Sequence, residues 1–471
     1  MCPNVQSAVR ESMSDMTAPK RRENLRMKKV LALTLAGLMA ASLAACGGSS
    51  GGATTDGGAS GGSSSSGELQ VNIWDNNQLA GLQQIADEWS AESGVKVKIN
   101  VVDWDNYWTL LEAGASGGQM PDVFWMHSNT AQMYMENDLL LNLDDYIAND
   151  DTIDMSKFYE GVVELYNRDD NGSQYALPKD HDTIALLYNK AIFDKYGVDY
   201  PTDDWTWEDL RDAAAKITEA GKADGVYGYA INTSNNQDGW YNIVYDYGAQ
   251  VITDDHKGTT IGSDEGKAGM EMLRQILEVS APQTVVAETG TDSLFNSGLV
   301  GMITQGSWMI NTFYTAENHA DYAWAMLPYA DVNGNGQCDA GERYSAYNGL
   351  GWAAAANTAN PDACYSLISY FCSEKAQKEQ AQLGVTMGGM KGVSEDFANA
   401  FEGMDVSAFT RAEEEGDLFF RPYTRNTTVW EDALQQNGAF LDAWLDPSNP
   451  ETMAKACENA QKIIEDAIAA E

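Results

Sequence analysis

The chain reads as an α/β protein of two lobes, and three observations carry that reading. Short strands and amphipathic helices alternate from Glu68 onward. The first of them run in βαβαβ order, which implies a parallel sheet presenting functional groups at strand C-terminal ends. The globular stretch is about 400 residues long, more than one hydrophobic core comfortably fills, so two lobes are expected.

Leu69 to Trp74 reads as the first strand. Leu79, Leu82, Ile85, Ala86 and Trp89 then recur at helical spacing, and Gly94 closes that helix. Val95 to Val102 alternates as a second strand, Tyr107 to Leu111 begins another helix, and Pro121 to Trp125 is a third strand. Thr206-Trp207-Glu208-Asp209 is a weakened capping box opening a later helix. Another helix begins near Asp264, and the chain closes with one from Glu451 to Ala470. No internal repeat is visible.

With 70 acidic against 29 basic residues the formal charge is −41, which argues against nucleic acid or an anionic membrane face as a partner. Cys338, Cys364, Cys372 and Cys457 are the cysteines of the globular part. Cys364 and Cys372 share one apparent helix, where eight residues at the helical rise separate them by roughly 12 Å, too far for a disulfide. A link to Cys457 or buried free thiols remain, and no zinc spacing is present.

The N-terminus carries targeting information. Lys28 and Lys29 precede an apolar run from Val30 to Ala40 that is too short to span a bilayer, and the run leads to Leu43-Ala44-Ala45-Cys46-Gly47. This order resembles a bacterial lipoprotein signal peptide, whose lipobox cysteine, here Cys46, is lipidated and becomes the mature N-terminus. Small residues before the cysteine admit the processing enzyme, and only a thiol can take the lipid thioether. Residues 1–45 are thus expected to be a signal peptide, with translation starting at Met27 because Met1 to Arg26 are polar and of mixed charge. Residues 46–67 are the lipidated cysteine and a Gly/Ser tether, a flexible coil reaching roughly 25 Å.

Several stretches then follow one another in the order of a known family. They are Asn72-Ile73-Trp74-Asp75-Asn76-Asn77, Pro121-Asp122-Val123-Phe124-Trp125-Met126, and the segment from Leu177-Pro178-Lys179-Asp180-His181-Asp182 to Asn189-Lys190. Further on come Trp205 to Leu210, Phe295-Asn296-Ser297-Gly298 with Gly306-Ser307-Trp308-Met309, and Tyr347-Asn348-Gly349-Leu350-Gly351. From the lipobox onward the chain resembles the sugar-binding lipoproteins of bacterial ABC importers, the extracellular solute-binding family that includes maltose-binding protein. The resemblance implies a periplasmic-binding-protein-like fold, two α/β lobes joined by crossing segments with a sugar in the cleft and closure by hinge bending. It puts one lobe at 68–179 plus 350–386 and the other at 180–349 plus 387–471. It also implies ABC permease subunits as partners, a sugar or oligosaccharide as ligand, a membrane contact through the lipid anchor on the extracellular face, and a monomer.

A pyranose offers an apolar C–H face to aromatic rings and hydroxyls to carboxylates, amides and arginine. Most of the 13 tryptophans must be core, so position selects the candidates. Asn76 and Asn77 open a helix after the first strand, while Asp75 reads equally as its cap. Trp125, with Ser128 and Asn129, ends the third strand, where the family carries an aromatic platform; a core ring is the alternative. Asp182 follows the crossing at Pro178, where the family places an acidic sugar contact, and His181 or Asp180 shares that work. Trp240 lies in a polar, glycine-containing loop that core packing explains poorly. Trp308, after Gly306-Ser307, matches a family stacking residue. Asn348 and Trp352 sit at the second crossing, with hinge packing as the alternative, and Arg421 is a bidentate candidate for vicinal hydroxyls or a surface ion pair.

One motif is independent of the family. Asp331 to Glu342 fits the calcium-loop template D-x-[DN]-x-[DN]-G-x5-E. Asp331, Asn333, Asn335 and Glu342 would supply side-chain oxygens, Gln337 its carbonyl, Asp339 a direct or water-borne contact, and Gly336 the sharp turn. A structural Ca2+ is expected there, against the alternative of a metal-free Asn/Gly turn. No Walker A loop, H-E-x-x-H or G-x-S-x-G occurs, so a non-enzymatic receptor is expected, with ATP hydrolysis left to a separate transporter. The competing class, a lipid-anchored glycoside hydrolase or lyase, would need two carboxylates flanking a glycosidic bond.

Overall fold

The computed structural model describes residues 67–471 apart from 169–170, 235 and 436–437. These belong to the compact unit Ser63–Glu471. The expectations for the signal peptide, Cys46 and the tether lie outside the described residues.

The first helix shows how local chemistry sets the elements. After β1 (Glu68–Ile73), which buries Leu69, Val71 and Ile73 on one face, the Asp75 carboxylate accepts the Asn77 N–H at 2.8 Å and caps α1 (Asn76–Ser93). Leu82, Ile85, Ala86 and Trp89 form its buried stripe, and Gly94 ends it at φ 75°, a conformation only glycine takes without strain. β2 (Lys96–Val101), α2 (Trp104–Gly117), β3 (Val123–Met126), α3 (Ser128–Glu136) and β4 (Ala176–Pro178) follow. β5 (Ile184–Asn189), α4 (Trp207–Gly221), β6 (Tyr227–Ala230), α5 (Asp264–Val279), β7 (Val300–Gly306), β8 (Tyr322–Ala325) and β9 (Tyr344–Tyr347) come next. β10 (Gly351–Ala354), α6 (Pro361–Phe371), α7 (Ser407–Glu415), β11 (Asp417–Phe420), α8 (Thr427–Leu434) and α9 (Pro450–Ala469) complete the principal elements. The capping box at α4 is complete, because the Asp209 side chain reaches the Thr206 N–H at 2.9 Å.

The first sheet has the order β2-β1-β3-β10-β4, and the second β6-β7-β5-β8. The opening strands are parallel, as the βαβαβ order implies, but the finished first sheet is mixed. β10 runs antiparallel to both β3 and β4, since the chain leaves this sheet through β4 and re-enters through β10 at the same edge. In the second sheet β6 and β7 are parallel and β5 is antiparallel to β7, with Ile184 opposite Gly306. The C-terminal ends of β6 and β7 therefore lie at the edge where the chain arrives.

Three segments join the two sheets and are bonded side by side. Asp182 bridges to Asn348 and Asp180 to Gly388. The Asp182 N–H donates to the Asn348 carbonyl at 2.8 Å, Lys179 to Leu350 at 2.7 Å, and His181 to Met387 at 3.2 Å. Gly349 is required here, because a Cβ would fall 2.3 Å from the Asp180 carbonyl oxygen. Cys364, Cys372 and Cys457 are buried free thiols, and Cys338 is free and exposed.

Candidate functional site

The ends of β1 and β3 in one sheet and of β6 and β7 in the other converge on the joining segments. On the first side, Asn76 and Asn77 are exposed at the start of α1, and Asn77 Nδ2 donates to Thr312 Oγ1 of the second lobe at 3.1 Å. Beside them Trp74 gathers an aromatic cluster, with ring centroids 5.1 Å from Trp104, 5.0 Å from Tyr107 and 4.9 Å from Trp125. Arg425 and Glu136 form a second cross-lobe contact at 2.8 Å.

The floor is organised by Asn348. Its Oδ1 accepts from Ser128 Oγ at 2.9 Å, while Nδ2 faces His127 Nε2 at 3.2 Å and Gln237 Oε1 at 3.3 Å. His127 Nδ1 lies 2.9 Å from Asn129 Oδ1 and accepts the Asn129 N–H at 3.3 Å, capping α3. Burial, then the nearby Arg421 cation, lowers the His127 pKa to about 3, so the ring is neutral.

On the second side, the loop after β6 is built into a buried network. Trp240 Nε1 donates to Asn236 Oδ1 at 2.8 Å, Asn236 Nδ2 to Tyr241 Oη at 3.1 Å, and Tyr241 to Glu431 Oε1 at 3.0 Å. Arg421 Nη2 reaches both Glu431 oxygens, at 2.7 and 2.9 Å. Arg421 Nη1 and Asp238 Oδ1 have no protein partner although both residues are buried. Burial, with Asp292 nearby, raises the Asp238 carboxyl far above the usual range. Trp308 is half-buried and lies over Gly306, where a Cβ would come within 1.9 Å of its ring.

Several expected contacts are corrected by burial. Trp125, Trp240 and Trp352 are wholly buried core rings and offer no face to a ligand. Trp125 lies under Trp74 with Lys179 Nζ 4.5 Å from its ring centroid, Trp352 stacks on Phe371, and Trp240 packs against Phe440. The polar loop around Trp240 folds onto a core completed by residues distant in sequence. His181 faces away from the floor, between Tyr159 and Tyr347 and against Glu413. Burial disfavours its charge, but Glu413 and the Gly388 carbonyl outweigh that and raise its pKa. Asn348 and Ser128 are buried and bond each other, and Asn348 Nδ2 also faces His127 and Gln237. Arg421 is not a surface pair: it is buried and bonded to Glu431 through Nη2 alone. Asn76, Asn77, Asn129 and Trp308 keep accessible surface. The aromatic cluster of Trp74, Trp104 and Trp108, and the polar groups of His127, Gln237 and Asp238, were not singled out from sequence as contacts; only the Trp74 position after β1 hinted at them.

Asp182 is 5% exposed and accepts from Ser307 Oγ at 3.0 Å, tying the first crossing to the end of β7. Burial and then the adjacent Asp180 charge push its carboxyl up to about 8, against the opposing effect of Lys179. The folded state therefore keeps a proton that the unfolded chain releases near pH 4. The stability this brings is complete below about pH 4 and is lost as pH rises toward 8. Asp182→Asn should flatten that dependence, gaining on the wild type between pH 5 and 8 in urea-unfolding midpoints. An unchanged slope would contradict the assignment.

The Asp331–Glu342 loop has a donor set that fits a cation. Among the described residues no three histidine, cysteine or carboxylate side chains converge as a metal site by themselves, so a cation needs the amide oxygens as well. The NH2 groups of Asn333 and Asn335 lie 2.8 and 2.7 Å from Asp339 Oδ2, and that of Asn333 lies 3.1 Å from Glu342 Oε1. Turning each amide over would present oxygen to the same space. Gly334 and Gly336 both sit at φ 73°, and the Ala330 N–H closes the loop on the Glu342 carbonyl at 2.8 Å. The Gln337 N–H donates to Asn335 Oδ1 at 2.7 Å.

Comparison with known proteins agrees with this architecture. A binding protein of Brucella abortus is 23% identical over 278 residues, 58% of this chain and 66% of that protein. The sn-glycerol-3-phosphate-binding periplasmic protein of Agrobacterium fabrum is 26% identical over 242 residues, 47% of this chain and 46% of that protein. The chain thus spans from just under two thirds to about half the length of these curated relatives. Among solved structures, an ABC substrate-binding protein of Listeria monocytogenes in complex with cycloalternan superposes with a TM-score of 0.74 at 21% identity, covering 85% of this chain and 99% of that one. The GacH receptor of Streptomyces glaucescens, solved unliganded and with acarbose, superposes with a TM-score of 0.70 at 20% identity, covering 86% and 99%. These likenesses establish the two-lobed fold. The model of the bacterial extracellular solute-binding proteins matches residues 74–378, and the chain belongs to that family.

Proposed function

We propose that this protein is the non-enzymatic capture component of an ABC importer, held by lipidated Cys46 on the extracellular face of the membrane, and that it delivers an uncharged sugar to the permease. The observation that carries the reading is the meeting of the two lobes beside the joining segments, where Asn77 at the start of α1 bonds Thr312, four residues after the half-buried Trp308, and Ser307 bonds Asp182, which pairs with Asn348. The exposed Asn76 and Asn77 amides and the half-buried Trp74 and Trp308 rings are the two kinds of group a pyranose requires. Neutrality of the ligand is supported by the floor's cations. Arg421 is neutralised by Glu431, Lys179 by Asp180, and His127 is uncharged. A phosphate would find no free positive charge in that set, although a relative is named for glycerol phosphate. The lobes take the borders 68–179 plus 350–386 and 180–349 plus 387–471, and the receptor works as a monomer.

In the same reading the Asp331–Glu342 loop holds a structural Ca2+. Glu342 directly precedes Arg343 and β9, which runs into the second crossing, so the ion would stiffen one arm of the hinge. Among the described residues no helix is long and apolar enough to cross a membrane, which suits attachment by lipid.

A thermal-shift screen of the chain against mono- and oligosaccharides and sn-glycerol 3-phosphate, each with calcium or with chelator, tests these points together. A sugar at 100 times its Kd should add about 2.7 kcal/mol of stability. Selective shifts with sugars and none with the phosphate are expected, as is a lower midpoint in chelator. A shift with glycerol phosphate alone would overturn the neutral-sugar reading, and equal midpoints with and without calcium would overturn the metal.

A further inference from the structure

We infer that Asn335 is a self-modifying site, which converts to aspartate or isoaspartate by attack of the Gly336 backbone nitrogen on its side-chain amide, with Asp331 taking up the proton. A glycine has no Cβ to hinder the approach of its nitrogen, so asparagines that precede glycine are the ones open to this attack. Among the described residues these are Asn171, Asn333, Asn335 and Asn348. Asn348 is 1% exposed and its Oδ1 is held by Ser128, which closes that pair to water. The other three are exposed, each before a glycine in the left-handed region, at φ 71° for Gly172 and 73° for Gly334 and Gly336.

The surroundings of the attacking nitrogen set Asn335 apart. The Gly336 N–H donates to Asp331 Oδ2 at 3.0 Å, so the nucleophile faces a carboxylate that can accept its proton. The Gly334 N–H faces the Asp331 carbonyl at 3.3 Å and the Gly172 N–H the Arg168 carbonyl at 2.7 Å, and a carbonyl only accepts a hydrogen bond. Negative charge develops on Asn335 Oδ1 during attack, and that oxygen accepts the Gln337 N–H at 2.7 Å. Asn333 and Asn171 have equivalent donors at 3.0 and 2.9 Å, which leaves the carboxylate as the difference.

The Gly336 nitrogen bonds to Cγ of Asn335 as its proton passes to Asp331. The Cγ–Nδ2 bond then breaks, and Nδ2 leaves with that proton as ammonia, closing a five-membered imide. One water opens the imide to aspartate or isoaspartate, so one water is consumed, one ammonia released and one negative charge gained. Protection by calcium is the part that rests on the metal reading above. A bound ion would draw Asn335 Oδ1 away from the Gln337 N–H and engage the Asp331 carboxylate, so a filled loop should resist conversion. The loop would thereby keep an irreversible record of time spent without its cation.

The test incubates the full chain in warm, mildly alkaline buffer, with chelator or with calcium, and follows each asparagine by peptide mapping and mass spectrometry. In chelator Asn335 should convert at least about tenfold faster than Asn333 or Asn171, with Asn348 intact. Asp331→Asn should bring Asn335 down to the rate of Asn171, and Asp331→Glu, which restores a carboxylate, should recover part of the loss. Asn171 lies far from the loop in sequence and serves in every sample as an internal clock, separating an effect on the loop from one on the whole fold. An Asn335 rate no greater than that of Asn171, or one unchanged by Asp331→Asn, would overturn the inference. With calcium the Asn335 rate should fall at least about tenfold while Asn171 keeps its own. Equal Asn335 rates in calcium and chelator would overturn the metal reading and leave the conversion itself standing.

Discussion

Arg421→Met should destabilise the protein by about 3–5 kcal/mol, measured as a fall in the urea midpoint at constant slope. The pair is buried, with Arg421 6% and Glu431 6% exposed, and one arginine nitrogen serves both carboxylate oxygens. Removing the cation strands a carboxylate that only the Tyr241 hydroxyl would still serve. The damage should therefore come from the uncompensated charge more than from the lost contact, and the double variant Arg421→Met, Glu431→Leu should recover much of it. If the double variant is no more stable than the single one, the pair contributes through shape and not through charge.

Trp352→Ala should cost a similar amount, about 3–5 kcal/mol, by opening a cavity in the first lobe. The ring has no exposed surface and lies flat on Phe371, centroids 4.5 Å apart and planes 8° from parallel. Its indole nitrogen has no hydrogen-bond partner, so the side chain contributes as an apolar slab. Trp352→Phe should consequently cost well under half as much in the same unfolding experiment. A phenylalanine variant as unstable as the alanine one would show that the N–H is satisfied after all.

These two residues also show where sequence reading reached and where it stopped. The elements with local causes were legible: the α1 stripe, its Asp75 cap and Gly94 stop, and the Thr206 capping box all depend on neighbours a few positions away. The fate of a tryptophan ring does not. Trp240 sits among polar residues and a glycine, yet it is buried because Phe440, two hundred residues later, closes over it. Trp104, flanked by aspartates, looked unremarkable and is the exposed one, because only the fold brings Trp74, Trp108 and His127 around it. The cleft candidates that keep accessible surface, Asn76, Asn77, Asn129 and Trp308, sit at element ends, where period and capping locate a residue at the surface. The buried candidates fall into two groups: Trp125 and Trp352 lie inside strands and His181 and Asn348 in the crossings, where pairing across the whole chain decides exposure, while Ser128, Trp240 and Arg421 stand at element ends or in loops and are covered by residues distant in sequence. Arg421 was recognisable as a carboxylate partner, but nothing near it in sequence announced that Glu431 would claim it.

The joining ribbon has a mechanical consequence. Its middle segment, Lys179 to Asp182, is bonded along one edge to Asn348–Leu350 and along the other to Met387–Gly388. A ribbon stitched on both sides of its central strand resists sliding and twisting but still flexes across its width. In the receptor proposed above, such a ribbon would reduce the opening of the two lobes to one angular coordinate. Occupancy of the cleft would then be encoded in a single angle, readable at the distant tips of the lobes by a partner that never touches the ligand.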